Sequence, residues 1–368
     1  MIRRDFLKKL GVAGFAGAAA SSSLAAPAIA QDRRELRMLT AWPRNSPGFG
    51  TSAERFARRV AQMSRNTLTI KVLQAGETVA VFKEMETVSN GDAEMYHSFD
   101  SYYQSASKAF NFFTGVPFGL NAAEHSAWIR FGGGREVWDE LGMKFGIKSF
   151  MAGSTGMQMG GWYNKDVRSL QDYKGLQIAI RGMGGDVVRK LGGVALPLAG
   201  NEIFSAMQQG IIDAAEWFGP WLDLSYGFYK VGKYYDYPGF QEPGSIVTLG
   251  IGLKTWEGLS EEHKAIIESA ADAENEAVLA EFNAKNIDAL NILMTRHKVV
   301  LRRFGDEVMR ALGEASGDVV ADAGNGDAIA RKVYDSFMKF RRNAVVWTKV
   351  TDQAYGDARL LPFRYGKT

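Results

Sequence analysis

From Ser260 to about His297 the chain runs without a single proline or glycine. Ser260 is a favourable helix N-cap, and Glu261 and Glu262 follow it in the first turn, where the helix dipole favours acid. This spacing predicts one continuous helix, far longer than the ~10–14 residues of an average globular helix. A helix of that length can run as a spine along two lobes.

What precedes it supplies two such lobes. Residues 36–41 read as a buried strand, ended by Pro43 and Pro47. Residues 51–64 follow as a helix with Phe56, Val60 and Met63 on one face. Leu68, Ile70 and Val72 alternate with Thr69 and Lys71, the pattern of a half-buried strand. A helical period through Val79, Phe82, Met85 and Val88 predicts a helix over 78–88, closed at Asn90-Gly91, before a strand at 93–98. Strand alternating with helix is the mark of a parallel α/β sheet. The aromatic run 110–120 is core or pocket wall. Gly132-Gly133-Gly134 ahead of a helical stretch over 135–145 lacks both a following Lys-Ser/Thr and GxGxxG spacing, so a turn fits it better than a phosphate cradle.

A strand at 147–152 leads into Ser154-Thr155-Gly156, where small and polar residues mark a crossing to a second lobe. There the predicted order is strand 176–181, helix 185–191, strand 194–198, helix 201–209 and strand 212–217. Residues 234–237 and 246–251 are apolar, and the second returns the chain to the first lobe. Beyond the spine, 299–304 reads as a strand, and 306–315 and 327–350 as helices. The last of these either forms a dimer contact or packs on its own lobe. The expected fold is a two-lobed α/β clamshell with a long spine helix. Lobe I takes residues 31–153 and 247–300, with the start of the spine. Lobe II takes 154–246, and 301–368 holds the C-terminal helices.

The front end has its own chemistry. Arg3-Arg4 with Phe6-Leu7 behind them precede a short Ala/Gly-rich stretch and Ala28-Ile29-Ala30, a small-x-small cleavage pattern. Residues 1–30 are expected to be an export signal, similar to the twin-arginine type, leaving a periplasmic protein that starts near Gln31. The apolar run is too short to span a bilayer. This segment has four basic residues and one acidic, which leaves 40 of each sign in the remainder. A neutral remainder carries no nucleic-acid footprint. Cysteine is absent, and the four histidines, His97, His125, His263 and His297, stand at no metal-ligand spacing.

The polar residues that stand out lie at the ends of apolar segments. Arg181 closes a strand pattern and precedes Gly182, Gly184 and Gly185. Its guanidinium can hold a carboxylate through two parallel hydrogen bonds, or pair with Asp186 at the surface. Glu216 and Trp217 end another strand, the place where α/β sheets bind ligands. Glu216 could hold a hard cation or pair with a lysine, and Trp217 could wall a site or fill core. Glu242 lies in a rigid turn between Pro238-Gly239 and Pro243-Gly244. With an amide oxygen from Gln158, two glutamates would form an all-oxygen site of the kind Na⁺ or Ca²⁺ accepts. The rival reading is a secreted hydrolase using Glu216 and Glu242 as an acid–base pair. No GxSxG, HExxH or Ser-His-Asp arrangement supports an enzyme.

In combination, several stretches resemble the solute receptors of TRAP (tripartite ATP-independent periplasmic) transporters. They are Gly156-Met157-Gln158-Met159-Gly160-Gly161-Trp162, Lys174-Gly175-Leu176 ahead of Arg181, Asp213-Ala214-Ala215-Glu216-Trp217, and Tyr235-Asp236-Tyr237-Pro238-Gly239. Val116-Pro117-Phe118-Gly119-Leu120-Asn121 and the long helix extend the likeness over nearly all of the exported part. The branch it resembles most takes 2-oxo acids such as pyruvate, with lactate receptors nearby. The resemblance implies a small organic acid held by Gln158 and Arg181 beside Glu216 and Trp217. It implies a Na⁺ or Ca²⁺ ion on Gln158, Glu216, the Trp217 backbone oxygen and Glu242. It also implies delivery to TRAP membrane permease subunits, no enzymatic activity, and a homodimer with an exchanged C-terminal helix. Phe240-Gln241 before Glu242 departs from the more aromatic pair expected there, which leaves room for a receptor of a larger aromatic or branched acid. A receptor for an ATP-driven importer is a further alternative, disfavoured by the spine helix.

Overall fold

A computed structural model describes residues 33–366. The expected export signal, residues 1–30, lies outside the described residues. Two sheets organise the fold. The first has five strands, in the spatial order Leu68–Leu73, Arg34–Thr40, Met95–Ser98, Ile246–Gly252, Ile147–Ser154. The strands from the first hundred residues are mutually parallel, as their alternation with helices predicts. Ile246–Gly252 runs antiparallel to both of its neighbours, which is how the chain returns from the second lobe.

The second sheet has six strands, in the order Val300–Arg303, Tyr234–Tyr237, Gly161–Tyr163, Ala214–Ala215, Gln177–Ala179, Val194–Leu196. Its centre is short. The strand expected over 212–217 is regular only at Ala214–Ala215; the Glu216 N–H still bonds Ala179 O at 2.9 Å, and pairing ends there. Val300–Arg303 pairs in parallel with Tyr234–Tyr237, so the segment after the spine helix completes the second sheet.

The long helix spans Glu261–Thr295, 35 residues, with the Ser260 hydroxyl accepting from the His263 backbone N–H at 3.2 Å. At 1.5 Å per residue that is about 52 Å, longer than one lobe. Its buried residues change partners along its length. Ile266, Ile267, Ala270 and Ala271 join the core of the first sheet. Val278 and Phe282 join an aromatic cluster with Phe49 and Phe218, and Leu293 joins the core of the second sheet. The spine expectation therefore holds, for a packing reason. Glu274 is fully buried on this helix and is held by Arg55 at 2.6 Å. Breaking such a pair costs about 3–5 kcal/mol, because one charge is left buried alone.

The sequence reading needs correction at several places. The helix expected over 78–88 spans only Glu84–Ser89, because Phe82 adopts a left-handed backbone (φ 71°) that no helix accommodates. Met63, expected on the buried face of its helix, is exposed. The helices Ala122–Phe131 and Pro220–Tyr226 were not anticipated. Their signals were present: an Asn121/Glu124 capping box and a proline at the first helical position. The helix Asp306–Ala323 runs well past its expected end. Ala328–Thr348 buries Val333 and Phe337 against the helices of the first lobe. Past Ala344 it leaves Val346, Trp347, Val350 and Tyr355 exposed. Among the described residues, no helix is long and apolar enough to cross a membrane.

Candidate functional site

Arg181 is the N-cap of the helix Gly182–Lys190, just past the end of Gln177–Ala179. Gly182 has φ +57°, and a Cβ there would lie 3.3 Å from a Glu242 carboxylate oxygen, so only glycine lets this turn approach the acid. The guanidinium is aimed by backbone. Its Nε donates to Leu198 O at 3.2 Å, and its Nη2 donates to Leu198 O at 2.7 Å and Pro197 O at 2.5 Å. Phe82 and Tyr102 cover its face, with ring centroids at 4.2 and 5.5 Å. Arg181 makes no ion pair among the described residues, and the surface pairing with Asp186 does not form. Asp186 binds Arg189 at 2.6 Å instead. An arginine held this way, half-buried with Nη1 free of protein partners, is a cation awaiting an anion.

Three cavities meet at Arg181: one of about 230 Å³, lined by Ser101, Gln104, Ser105 and Arg189 among others, and two that Trp217 and Phe218 also line. The smaller of these two, about 30 Å³, is lined by Arg181, Glu216, Trp217 and Glu242 together with Tyr102 and Phe218. The larger of the two, about 180 Å³, shares Arg181, Tyr102, Trp217 and Phe218 and adds Trp42 and Phe49. Residues 42, 49, 82 and 102 come from the first-sheet lobe; 181, 217 and 218 come from the other. The site therefore lies in the cleft between them.

Gln158 lines none of these cavities. It is buried behind them and joins both glutamates. Its Nε2 donates to Thr155 Oγ1 at 3.1 Å and Ser245 Oγ at 2.7 Å, and Ser245 in turn donates to Glu242. Its Oε1 accepts from Gln241 Nε2 at 3.4 Å, and that same amide donates to Glu216 Oε1 at 3.2 Å and Met159 O at 2.9 Å. Sequence reasoning missed Gln241 and Ser245. Gln241 was singled out only as a departure, yet it is the buried hub linking Gln158 to Glu216. It also missed Phe82 and Tyr102, which no local signal ties to Arg181.

The electrostatics explain what the arrangement lacks. Burial, and then the Glu242 charge, push the Glu216 carboxyl well above its usual range, against the Gln241 hydrogen bond and the Arg181 charge. Burial pushes Glu242 up to about 7, opposed by the Ser245 hydroxyl. Two acids lining one small cavity resist ionising together unless a positive charge joins them. The donors lining the cavity fit a hard cation: two carboxylates, with the Gln158 amide oxygen set behind Glu216 through Gln241, and no nitrogen or sulfur ligand among the described residues. The Trp217 carbonyl accepts no backbone hydrogen bond among the described residues. A volume of about 30 Å³ holds one or two water-sized species.

A two-lobed α/β fold on a spine helix, with an unpaired guanidinium and two carboxylates in the cleft between lobes, is the build of a solute receptor. The chain belongs to family 7 of the bacterial extracellular solute-binding proteins (DctP), whose model matches residues 38–326. It is 37% identical over 319 residues to the monocarboxylate 2-oxoacid-binding periplasmic protein of a Nostoc species, covering 87% of each chain. A TRAP transporter solute-binding protein from Bordetella bronchiseptica, a dimer with calcium and picolinate in its active site, superposes with a TM-score of 0.86 at 34% identity. That match covers 89% of this chain and 97% of the other. The TRAP periplasmic solute-binding protein of Pseudoalteromonas atlantica, with bound sodium and pyruvate, gives a TM-score of 0.85 at 33% identity, covering 88% and 99%. The family and these neighbours are solute-binding receptors rather than enzymes.

Proposed function

We propose that this protein is a periplasmic TRAP receptor. It captures a small monocarboxylate, a 2-oxo or 2-hydroxy acid, together with Na⁺ or Ca²⁺, and delivers it to TRAP membrane permease subunits. The observation that carries this reading is the meeting of an unpaired Arg181 with Glu216 and Glu242 around one cavity. Arg181 takes the carboxylate through Nη1, with Gln158 as the second polar group of the site, acting from behind the cavity through Gln241 and Ser245. Glu216, Glu242, Gln158 and the Trp217 carbonyl would hold the cation. When bound, that cation supplies the positive charge that lets an anionic ligand rest beside two ionised glutamates.

The same reading assigns Glu216 and Glu242 to cation binding and leaves no catalytic role for them. It takes residues 1–30 as a twin-arginine export signal, residues 154–246 as lobe II, and 31–153 with 247–300 as lobe I, except that the end of the spine helix and Val300 pack with the second sheet. Relatives at 31–37% identity that bind pyruvate or 2-oxoacids support it. Differential scanning fluorimetry against monocarboxylates, dicarboxylates and amino acids tests it. At a hundredfold excess over Kd, a ligand that binds only the folded state adds about 2.7 kcal/mol, a rise of about 5 °C or more in Tm. Monocarboxylates alone are expected to give that rise in the presence of Na⁺ or Ca²⁺. A panel in which none does so rejects the reading.

The dimer belongs to the same proposal. Trp347, Val350 and Tyr355 form an exposed apolar stretch at the C-terminal end, the residues an exchanged helix would cover. Sedimentation velocity is expected to give a dimer for the mature chain and a monomer for one ending at Ala344. A monomeric mature chain at micromolar concentration removes the dimer.

A further inference from the structure

We infer that the acid accepted here carries an aromatic ring, seated in the cavity that Trp42, Phe49, Trp217 and Phe218 line. This rests on the proposed function, since it takes Arg181 as the carboxylate anchor. An acid held at Arg181 can extend in three directions, one of them the cavity of about 230 Å³ walled largely by polar side chains, Ser101, Gln104, Ser105 and Arg189. The cavity toward Glu216 and Glu242, about 30 Å³, admits an ion or a ligand oxygen but not the body of a ligand. An apolar ligand body therefore enters the aromatic-walled cavity of about 180 Å³ rather than the polar-walled one. For scale, an apolar cavity of about 150 Å³ takes up benzene. The single methyl of pyruvate would leave most of this space to water.

The walls have the geometry of an aromatic box. Trp42 stacks on Phe49 at 4.6 Å, Phe49 meets Phe218 edge-on at 4.8 Å, and Phe218 meets Trp217 at 4.9 Å. These rings pack on one another as one continuous aromatic wall, a surface on which a ligand ring can lie offset or edge-on. The box is also held open from behind. The Trp42 indole donates to Nδ1 of the fully buried His97 at 2.7 Å, which fixes its orientation. Gly200 admits the Trp217 ring, since a Cβ there would fall 2.5 Å from its Cη2. Phe82 closes the remaining side while it stacks on Arg181, so the anion anchor and the ring pocket share a wall.

Isothermal titration calorimetry of the mature protein with pyruvate, 4-methyl-2-oxopentanoate and phenylpyruvate, in Na⁺ and in Ca²⁺, tests the inference. Phenylpyruvate is expected to bind about tenfold or more tighter than pyruvate, through the apolar area its ring buries. Ala75 lines the same cavity, and Ala75→Leu is expected to cost phenylpyruvate about tenfold while leaving pyruvate unchanged. Pyruvate or 4-methyl-2-oxopentanoate binding as tightly as phenylpyruvate overturns the aromatic assignment and leaves the monocarboxylate receptor standing. Equal losses for both acids in Ala75→Leu also overturn it. No binding of any of the three acids would sink the receptor reading as well.

Discussion

Arg181→Lys is expected to weaken monocarboxylate binding by about a hundredfold, roughly 3 kcal/mol, and Arg181→Ala by at least as much. The reason is how the guanidinium is shared. Nε and Nη2 are committed to the carbonyls of Pro197 and Leu198, and these bonds fix the guanidinium with Nη1 left for a ligand. A lysine ammonium is a point donor without a second edge. Satisfying those carbonyls would draw it away from the ligand, and turning to the ligand would leave the carbonyls unpaired. It would also lose the stacking on Phe82 at 4.2 Å. Calorimetry on both variants, with circular dichroism to show the fold intact, measures the effect. A loss below about threefold in Arg181→Lys would mean that this side chain does not carry the anion.

Removing Na⁺ and Ca²⁺ together is expected to lower ligand affinity by about tenfold to a hundredfold. Two like charges 4 Å apart interact by about 4 kcal/mol at an effective dielectric constant of 20. An anionic ligand beside Glu216 and Glu242 meets that repulsion unless the acids stay protonated or a cation joins them. Burial already holds both carboxyls above their usual range, so the site without a cation is poised to stay neutral. A neutral pair offers the ligand no counter-charge beyond Arg181. Titrations in chelator-treated choline buffer, repeated after adding back each cation, give the comparison. The double variant Glu216→Gln/Glu242→Gln should lose the cation dependence. Equal affinity with and without cations in the parent protein would leave the two glutamates without this role.

Much of the architecture was legible before any coordinates. The spine helix followed from an uninterrupted helical stretch and an N-cap serine. The strands followed from alternation, and Arg181, Glu216 and Glu242 stood out as polar residues placed where apolar segments end. Errors came where a local pattern had two solutions. The residues 79, 82, 85 and 88 keep helical period, yet Phe82 takes a left-handed backbone and lends its ring to Arg181 across the cleft. Gln241 looked like a substitution in a loop. Its value as a hub depends on Gln158 and Glu216, 83 and 25 residues away.

Periodicity, capping and turn chemistry act over a few residues, so the chain by itself determined its helices, most of its strands and the ends at which polar groups emerge. The cleft is another matter. Trp42, Phe82, Tyr102, Arg181, Glu216 and Glu242 lie far apart along the chain, and none of them carries a local mark of the others. Only the packing of two sheets on one helix brought them together, because distances across a cleft are set by the sum of all the contacts in both lobes. The size of the aromatic-walled cavity, and the lack of a carboxylate partner for Arg181 among the described residues, were decided there.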